Sequence, residues 1–109
     1  VKESQKLGLK SVKPNINCKD IDFACRKYID EQNFGKYFIH STGHGIGLEV
    51  HELPTISSRS DTKLKENMVI TVEPGIYIPN KFGVRIEDSL IVKNKPIILH
   101  KFTKDLIII

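Results

Sequence analysis

Three of the four histidines stand close together in the chain, and two glutamates follow them in apolar surroundings. The histidines are His40, His44 and His51, and the glutamates are Glu73 and Glu87. A lone histidine or glutamate is usually structural or exposed. Here the apolar neighbours of both glutamates predict burial, and a buried carboxylate needs a partner because an unpaired buried charge is strongly unfavourable. A divalent metal ion would be such a partner.

Glycines surround His44, since residues 43–47 read GHGIG. Small residues allow the backbone to approach a ligand closely or to bend sharply. A flexible loop is the alternative, but apolar Ile46 and Leu48 favour a turn pinned to a core. The spacing differs from the GxGxxG pattern, so a dinucleotide site is not indicated.

Imidazole together with carboxylates favours Mn, Co, Fe or Zn over copper or an iron–sulfur cluster. Such ions generate hydroxide near neutral pH and polarise a carbonyl group. Histidines outside the ligand set could bind substrate or transfer protons.

Two helices precede these residues. A first helix over 1–12 is ended by Pro14 and Asn15. Asn17 is predicted to cap a second helix, with Asp20 as its capping-box partner. That helix has one apolar face and is closed by residues 33–35. The residues of this face are Ile21, Ala24, Cys25, Tyr28 and Ile29.

Short apolar or β-branched runs predict strands. They are 37–40, 49–51, 68–72, 76–78, 84–87, 89–93 and 97–99, with a polar loop over 53–67 and turns at 79–81 and 93–96. The result is one α+β unit over residues 1–109, in which helices pack on one face of an antiparallel sheet.

The composition of the chain argues against some classes of function. The net charge is +4, but the lysines are scattered, which indicates a solvated surface more than a nucleic-acid patch. No run approaches the length of a membrane span. Cys18 and Cys25 stand seven residues apart on one helix, too far for a disulfide, which indicates reduced thiols and a cytoplasmic protein.

Three segments together resemble the pita-bread metallopeptidases. Residues 40–52 read HSTGHGIGLEVHE, residues 71–77 read TVEPGIY and residues 83–88 read GVRIED. They are similar to the histidine motif and the two glutamate motifs of that family, in the same order. The family includes methionine aminopeptidases, Xaa-Pro aminopeptidases and Xaa-Pro dipeptidases (prolidases), and the motifs look like the proline-specific branches. The choice between aminopeptidase and dipeptidase stays open.

The resemblance implies a role for each matching residue. His44, Glu73 and Glu87 match metal ligands, with Glu87 matching the one that bridges two ions. His51 matches a histidine that hydrogen-bonds substrate and the tetrahedral intermediate, and Glu73 also matches a proton shuttle to the leaving amine. His40 and Arg85 match residues that line the pocket around a proline or the substrate carboxylate.

One departure concerns two further aspartate ligands that the family supplies upstream. Asp20, Asp22, Asp30 and Asp61 lack that motif context. The resemblance therefore implies the C-terminal half of a pita-bread fold. The parent would be a homodimer that holds two divalent ions (Mn, Co, Fe or Zn) and cleaves peptides or dipeptides with proline at the second position. The fragment itself would bind one metal ion weakly and would be inactive. An inactive pita-bread-like module that binds protein or nucleic acid is the alternative.

Overall fold

The computed structural model describes residues 1–109. Its helices are α1 (Lys2–Ser11) and α2 (Cys18–Glu31), followed by a short 3-10 helix at Gly35–Tyr37. Neither helix is long and apolar enough to cross a membrane.

Helix α2 forms where the apolar period predicted it. Ile21, Cys25 and Ile29 are buried, and Asn33 follows the helix with a φ of 65°. Asn17 is the N-cap residue, as predicted, but its side chain makes no capping hydrogen bond. The first helical N–H groups instead donate to carbonyls of the loop that passes beside them. The N–H of Cys18 bonds the Thr62 carbonyl at 2.9 Å, so the helix start is satisfied without a side-chain cap.

Seven strands form two antiparallel sheets. They are β1 (Gly43–Gly45), β2 (Glu52–Ile56), β3 (Val69–Val72), β4 (Gly75–Ile78), β5 (Phe82–Arg85), β6 (Asp88–Ile91) and β7 (Ile97–Ile98). The larger sheet has the order β2-β1-β3-β6-β7, and β4 pairs with β5 in a separate hairpin. The predicted α+β class and antiparallel pairing are confirmed.

Several predicted strands differ from the observed ones. Residues 37–40 form the end of the 3-10 helix and an irregular segment, and residues 49–51 form a bend. Gly43–Gly45 is a strand where a turn was predicted, and Glu52–Ile56 is a strand inside the predicted polar loop. The strands at 69–72, 75–78, 88–91 and 97–98 lie within two residues of their predicted bounds.

The core lies between the helices and the larger sheet. Strand β3 occupies the centre of that sheet, and Ile70, Thr71 and Val72 on it are all buried. Residues that flank the site therefore sit on the most enclosed strand of the molecule. The whole core comprises Val12, Cys18, Ile21, Cys25, Ile29, Phe38, Ile56, Leu64, Ile70, Val72, Leu90 and Val92.

Candidate active site

Strand β1 holds His44 between two neighbouring strands. A Cβ at Gly43 would overlap the Thr71 carbonyl on β3, and a Cβ at Gly45 would overlap the Leu53 carbonyl on β2. Only glycine permits both approaches, because a larger residue would push the strands apart. The glycines that flank His44 therefore fix the backbone from which its imidazole projects.

His44 and Glu73 face each other at close range. His44 Nε2 lies 3.1 Å from Glu73 Oε1, and His44 Nδ1 lies 2.9 Å from the Gly45 carbonyl oxygen. Since a carbonyl only accepts, Nδ1 carries a hydrogen and donates it there. In the neutral imidazole, Nε2 then points a lone pair at a carboxylate oxygen. Two acceptors this close need a cation between them, either a proton or a metal ion.

Thr71 joins the two residues of this pair. Its hydroxyl donates to Glu73 Oε1 at 2.8 Å and accepts the backbone N–H of His44 at 3.0 Å. The N–H of Glu73 in turn donates to the Thr42 carbonyl at 2.7 Å. Thr71 was not predicted as a site residue. Its position two residues before Glu73 is the available signal, because residues i and i+2 of a strand share a face.

The other two histidines lie beside the pair in different ways. The His51 ring centroid is 4.3 Å from that of His44, and His51 is exposed. His40 Nδ1 donates to the Ser41 carbonyl at 2.7 Å, so His40 Nε2 accepts the Tyr77 hydroxyl at 2.9 Å. Tyr77 belongs to the quoted glutamate motif, but its contact with His40 was not predicted.

Arg85 lies between the two glutamates. Its Nε is 3.7 Å from Glu73 Oε2 and 3.5 Å from Glu87 Oε2. The predicted burial of Glu87 was wrong, since its side chain is 37% exposed. Glu87 follows β5, whose four residues are all exposed, so the apolar neighbours that suggested burial line no core.

A cavity of about 640 Å³ brings five of the six predicted residues together. His40, His44, His51, Glu73 and Arg85 all line it. Glu87 does not, and reaches the cavity only through its ion pair with Arg85. Imidazoles, a carboxylate and a guanidinium thus meet in one open, polar cavity. Such a set can transfer protons and bind a carboxylate.

A family model described as metallopeptidase family M24 matches residues 1–94. The chain belongs to metallopeptidase family M24. The M24 chain is 53% identical over 108 residues to an Xaa-Pro dipeptidase from Pyrococcus horikoshii, covering 98% of this chain and 31% of that relative. The predicted resemblance to this peptidase family is therefore confirmed.

Solved structures agree with the M24 assignment. The chain superposes on an Xaa-Pro dipeptidase from Bacillus anthracis with a TM-score of 0.97 and 49% identity, covering 100% of this chain and 31% of that one. An X-Pro aminopeptidase from Thermotoga maritima gives a TM-score of 0.93 and 46% identity. That match covers 96% of this chain and 30% of the aminopeptidase. These likenesses confirm the predicted pita-bread fold. The M24 chain spans less than a third of each of these proteins.

The M24 chain presents part of the donor set that a divalent ion needs. Metal bonds of about 2.0–2.2 Å to nitrogen and oxygen place adjacent donors about 3.0–3.5 Å apart, so His44 and Glu73 fit as two ligands of one ion. No group of three or more histidine, cysteine, aspartate or glutamate side chains is assembled to hold a metal ion. The types of donor present and the spacing of His44 and Glu73 therefore fit a metal ion. The predicted set of three ligands that includes Glu87 is not assembled.

Proposed function

We propose that the whole protein is a metal-dependent exopeptidase that hydrolyses the Xaa-Pro bond, with His44, Glu73 and Glu87 as metal ligands. The observation that carries the proposal is the approach of His44 Nε2 to Glu73 Oε1 at 3.1 Å, with the imidazole tautomer fixed by the Gly45 carbonyl. Two relatives named Xaa-Pro dipeptidase and one named X-Pro aminopeptidase support the substrate class.

The chain's own side chains would perform distinct parts of the reaction. When bound, two divalent ions would activate water and polarise the scissile carbonyl. His51, exposed at the cavity beside His44, can donate a hydrogen bond to the oxygen of that carbonyl as negative charge develops there. Glu73 can accept a proton and deliver it to the leaving proline nitrogen.

Binding of the substrate's proline end would fall to His40 and Arg85. Both line the same cavity as Glu73, and half of the Arg85 side chain is exposed. A guanidinium suits a carboxylate because it offers parallel N–H donors. The proposed pocket would therefore bind a free C-terminal carboxylate of a dipeptide or a backbone carbonyl of a longer peptide.

The test uses the whole protein with Ala-Pro and Ala-Pro-Ala as substrates. We expect cleavage of the Xaa-Pro bond, about two metal ions per chain by elemental analysis, and loss of activity on His44→Ala or Glu87→Gln. Comparing the two substrates separates a dipeptidase from an aminopeptidase. Full activity of both variants after metal removal would refute the proposal.

The second candidate is an inactive module that binds another macromolecule. Arg85 favours it, because a guanidinium between Glu73 and Glu87 offsets part of their negative charge without a metal ion. Elemental analysis separates the candidates, since absence of bound metal in the whole protein together with no peptidase activity would support the module.

The proposal also covers the cellular location and the oligomeric state of the whole protein. Both cysteines are free and buried, which supports a reducing, cytoplasmic setting. A homodimer stays a prediction, and sedimentation of the whole protein would test it.

A further inference from the structure

Helix α2 carries an ion pair outside the three motifs. Arg26 Nε donates to Asp22 Oδ2 at 2.8 Å, and Arg26 Nη2 donates to Asp22 Oδ1 at 2.9 Å. The Asp22 side chain is fully buried, while a third of the Arg26 side chain is exposed. The hydrogen bonds that Arg26 donates to Asp22 raise the pKa of Arg26, because the carboxylate stabilises the charged guanidinium. The Arg26 guanidinium therefore keeps its positive charge.

Both partners reach beyond their helix to one irregular segment, residues 38–42. Arg26 Nη1 donates to the Phe38 carbonyl and Nη2 to the His40 carbonyl, each at 2.9 Å. The Thr42 hydroxyl donates to Asp22 Oδ1 at 2.8 Å. The guanidinium also lies 4.1 Å from the centroid of the Phe38 ring. Residues 38–42 belong to no strand, so side chains of α2 satisfy carbonyls that no sheet partner reaches.

This segment leads directly into the candidate site. It carries His40, whose ring lines the cavity and bonds Tyr77. At its other end, the Thr42 carbonyl accepts the N–H of Glu73 at 2.7 Å. Any displacement of the segment would therefore move His40 relative to Glu73.

Stability alone is a weak reason for such a pair. A buried ion pair can often be replaced by apolar residues of similar volume without loss of stability, because desolvation offsets the attraction between the charges. Four hydrogen bonds from one guanidinium in a planar fork are instead suited to fixing geometry.

We propose that Asp22 and Arg26 are positioning residues, which hold the 38–42 segment so that His40 lies at the correct distance from Glu73 for the proline end of the substrate. This inference rests on the proposed function, in which His40 contacts substrate. The pair acts through the segment and does not itself touch substrate.

The first test measures steady-state kinetics of the whole protein carrying Arg26→Lys, which keeps the positive charge and loses the planar guanidinium. The substrate is whichever of Ala-Pro and Ala-Pro-Ala the wild type cleaves. Misplacement of a pocket residue predicts a rise in KM on the order of 10- to 100-fold with a smaller change in kcat. Lys27→Gln is the matched control, because Lys27 pairs with Glu31 at the same i,i+4 spacing on the exposed face of α2. We expect its kinetics to equal those of the wild type.

A double-mutant cycle separates positioning from a general structural role. If Arg26 acts through His40, adding Arg26→Lys to His40→Ala raises KM no further. Multiplicative effects of the two substitutions would overturn the proposal. Thr42→Val removes a single bond to Asp22, and it provides the same test if Arg26→Lys does not fold.

Amide hydrogen exchange provides a readout that does not depend on activity. We expect Arg26→Lys, or Thr42→Val in its place, to speed exchange in peptides covering 38–42 while α2 keeps its protection. Failure of the wild type to cleave either Ala-Pro or Ala-Pro-Ala would refute the proposed function, and the exchange result would still decide whether the pair anchors the segment. Unchanged exchange in residues 38–42 would overturn the positioning role.

Discussion

At the scale of single residues, the hydroxyl of Thr71 connects the two groups that define the site. It bonds both the Glu73 carboxylate and the His44 backbone. Thr71→Val keeps the shape and removes both bonds, leaving the part-buried N–H of His44 without this partner at a cost of up to about 1–3 kcal/mol. The carboxylate also loses its orientation, so metal affinity of the whole protein should fall about 10- to 100-fold. Titration with Mn²⁺ measures the affinity, and urea unfolding measures the stability.

Thr71→Ser is the control for that substitution. It restores the hydroxyl and should recover most of the metal affinity, although it loses one buried methyl group. Equal affinities for the valine and serine variants would show that the hydroxyl plays no part in orienting Glu73.

The thiol of Cys25 gives a prediction of pH dependence. Burial raises its pKa from 9.0 to about 11, which means that folding favours the protonated thiol. The stabilisation is therefore fully present below pH 9 and is lost as the pH rises to about 11. It amounts to roughly 3 kcal/mol at most.

Urea unfolding of the wild type and of Cys25→Ala, at pH 8 and at pH 11, tests this prediction. Other groups titrate equally in both proteins, so the stability advantage of the wild type should narrow at high pH. Parallel pH dependences of the two proteins would contradict it.

At the scale of elements, α1 packs against α2 and β3 at a point where only glycine fits. A Cβ at Gly8 would overlap Cys25 Sγ and lie too close to Val72 Cγ1. Gly8→Ala gains about 1 kcal/mol of helix propensity, but overpacking a core costs roughly 1–3 kcal/mol. We expect a net loss of stability, measured as a lower thermal midpoint. An increase would mean that helix propensity outweighs the contact.

The sequence predicted helices better than strands, for a physical reason. Helix α2 shows its 3.6-residue period locally, since Ile21, Cys25 and Ile29 share one face. Strands β1 and β2 contain glycine and proline, which local strand propensity disfavours. Pairing with β3 imposes strand geometry on β1, and β2 tolerates Pro54 because it lies at the sheet edge.

Prediction of the site was likewise limited to what local sequence shows. The residue types and the motifs indicated six site residues, and the structure gathers all of them except Glu87 around one cavity. The supporting contacts of Thr71 and Arg26 depend on which strand or segment lies opposite them. Such partners are set by tertiary packing, which no local spacing encodes.

At the scale of the whole molecule, the candidate ligands lie at one end of the larger sheet, where the β4–β5 hairpin connects β3 to β6. His44 lies on β1 and Glu73 directly follows β3, both in the larger sheet. Glu87 lies in the connection from the β4–β5 hairpin to β6, where Arg85 stands between it and Glu73. Thr71 thus joins His44 and Glu73 directly, whereas Glu87 is paired with Arg85 of the hairpin.

This division predicts how the 109-residue polypeptide should bind Mn²⁺. Two assembled donors support weak binding of one ion, so His44→Ala should abolish binding, while Glu87→Gln should leave it nearly unchanged. In the whole protein, Glu87→Gln should instead reduce the metal content, because the proposed second ion requires that carboxylate. Calorimetric titration of both forms, with circular dichroism to verify folding, measures the difference. Abolition of binding by Glu87→Gln in the polypeptide itself would mean that the hairpin moves to bring Glu87 within reach of the ion.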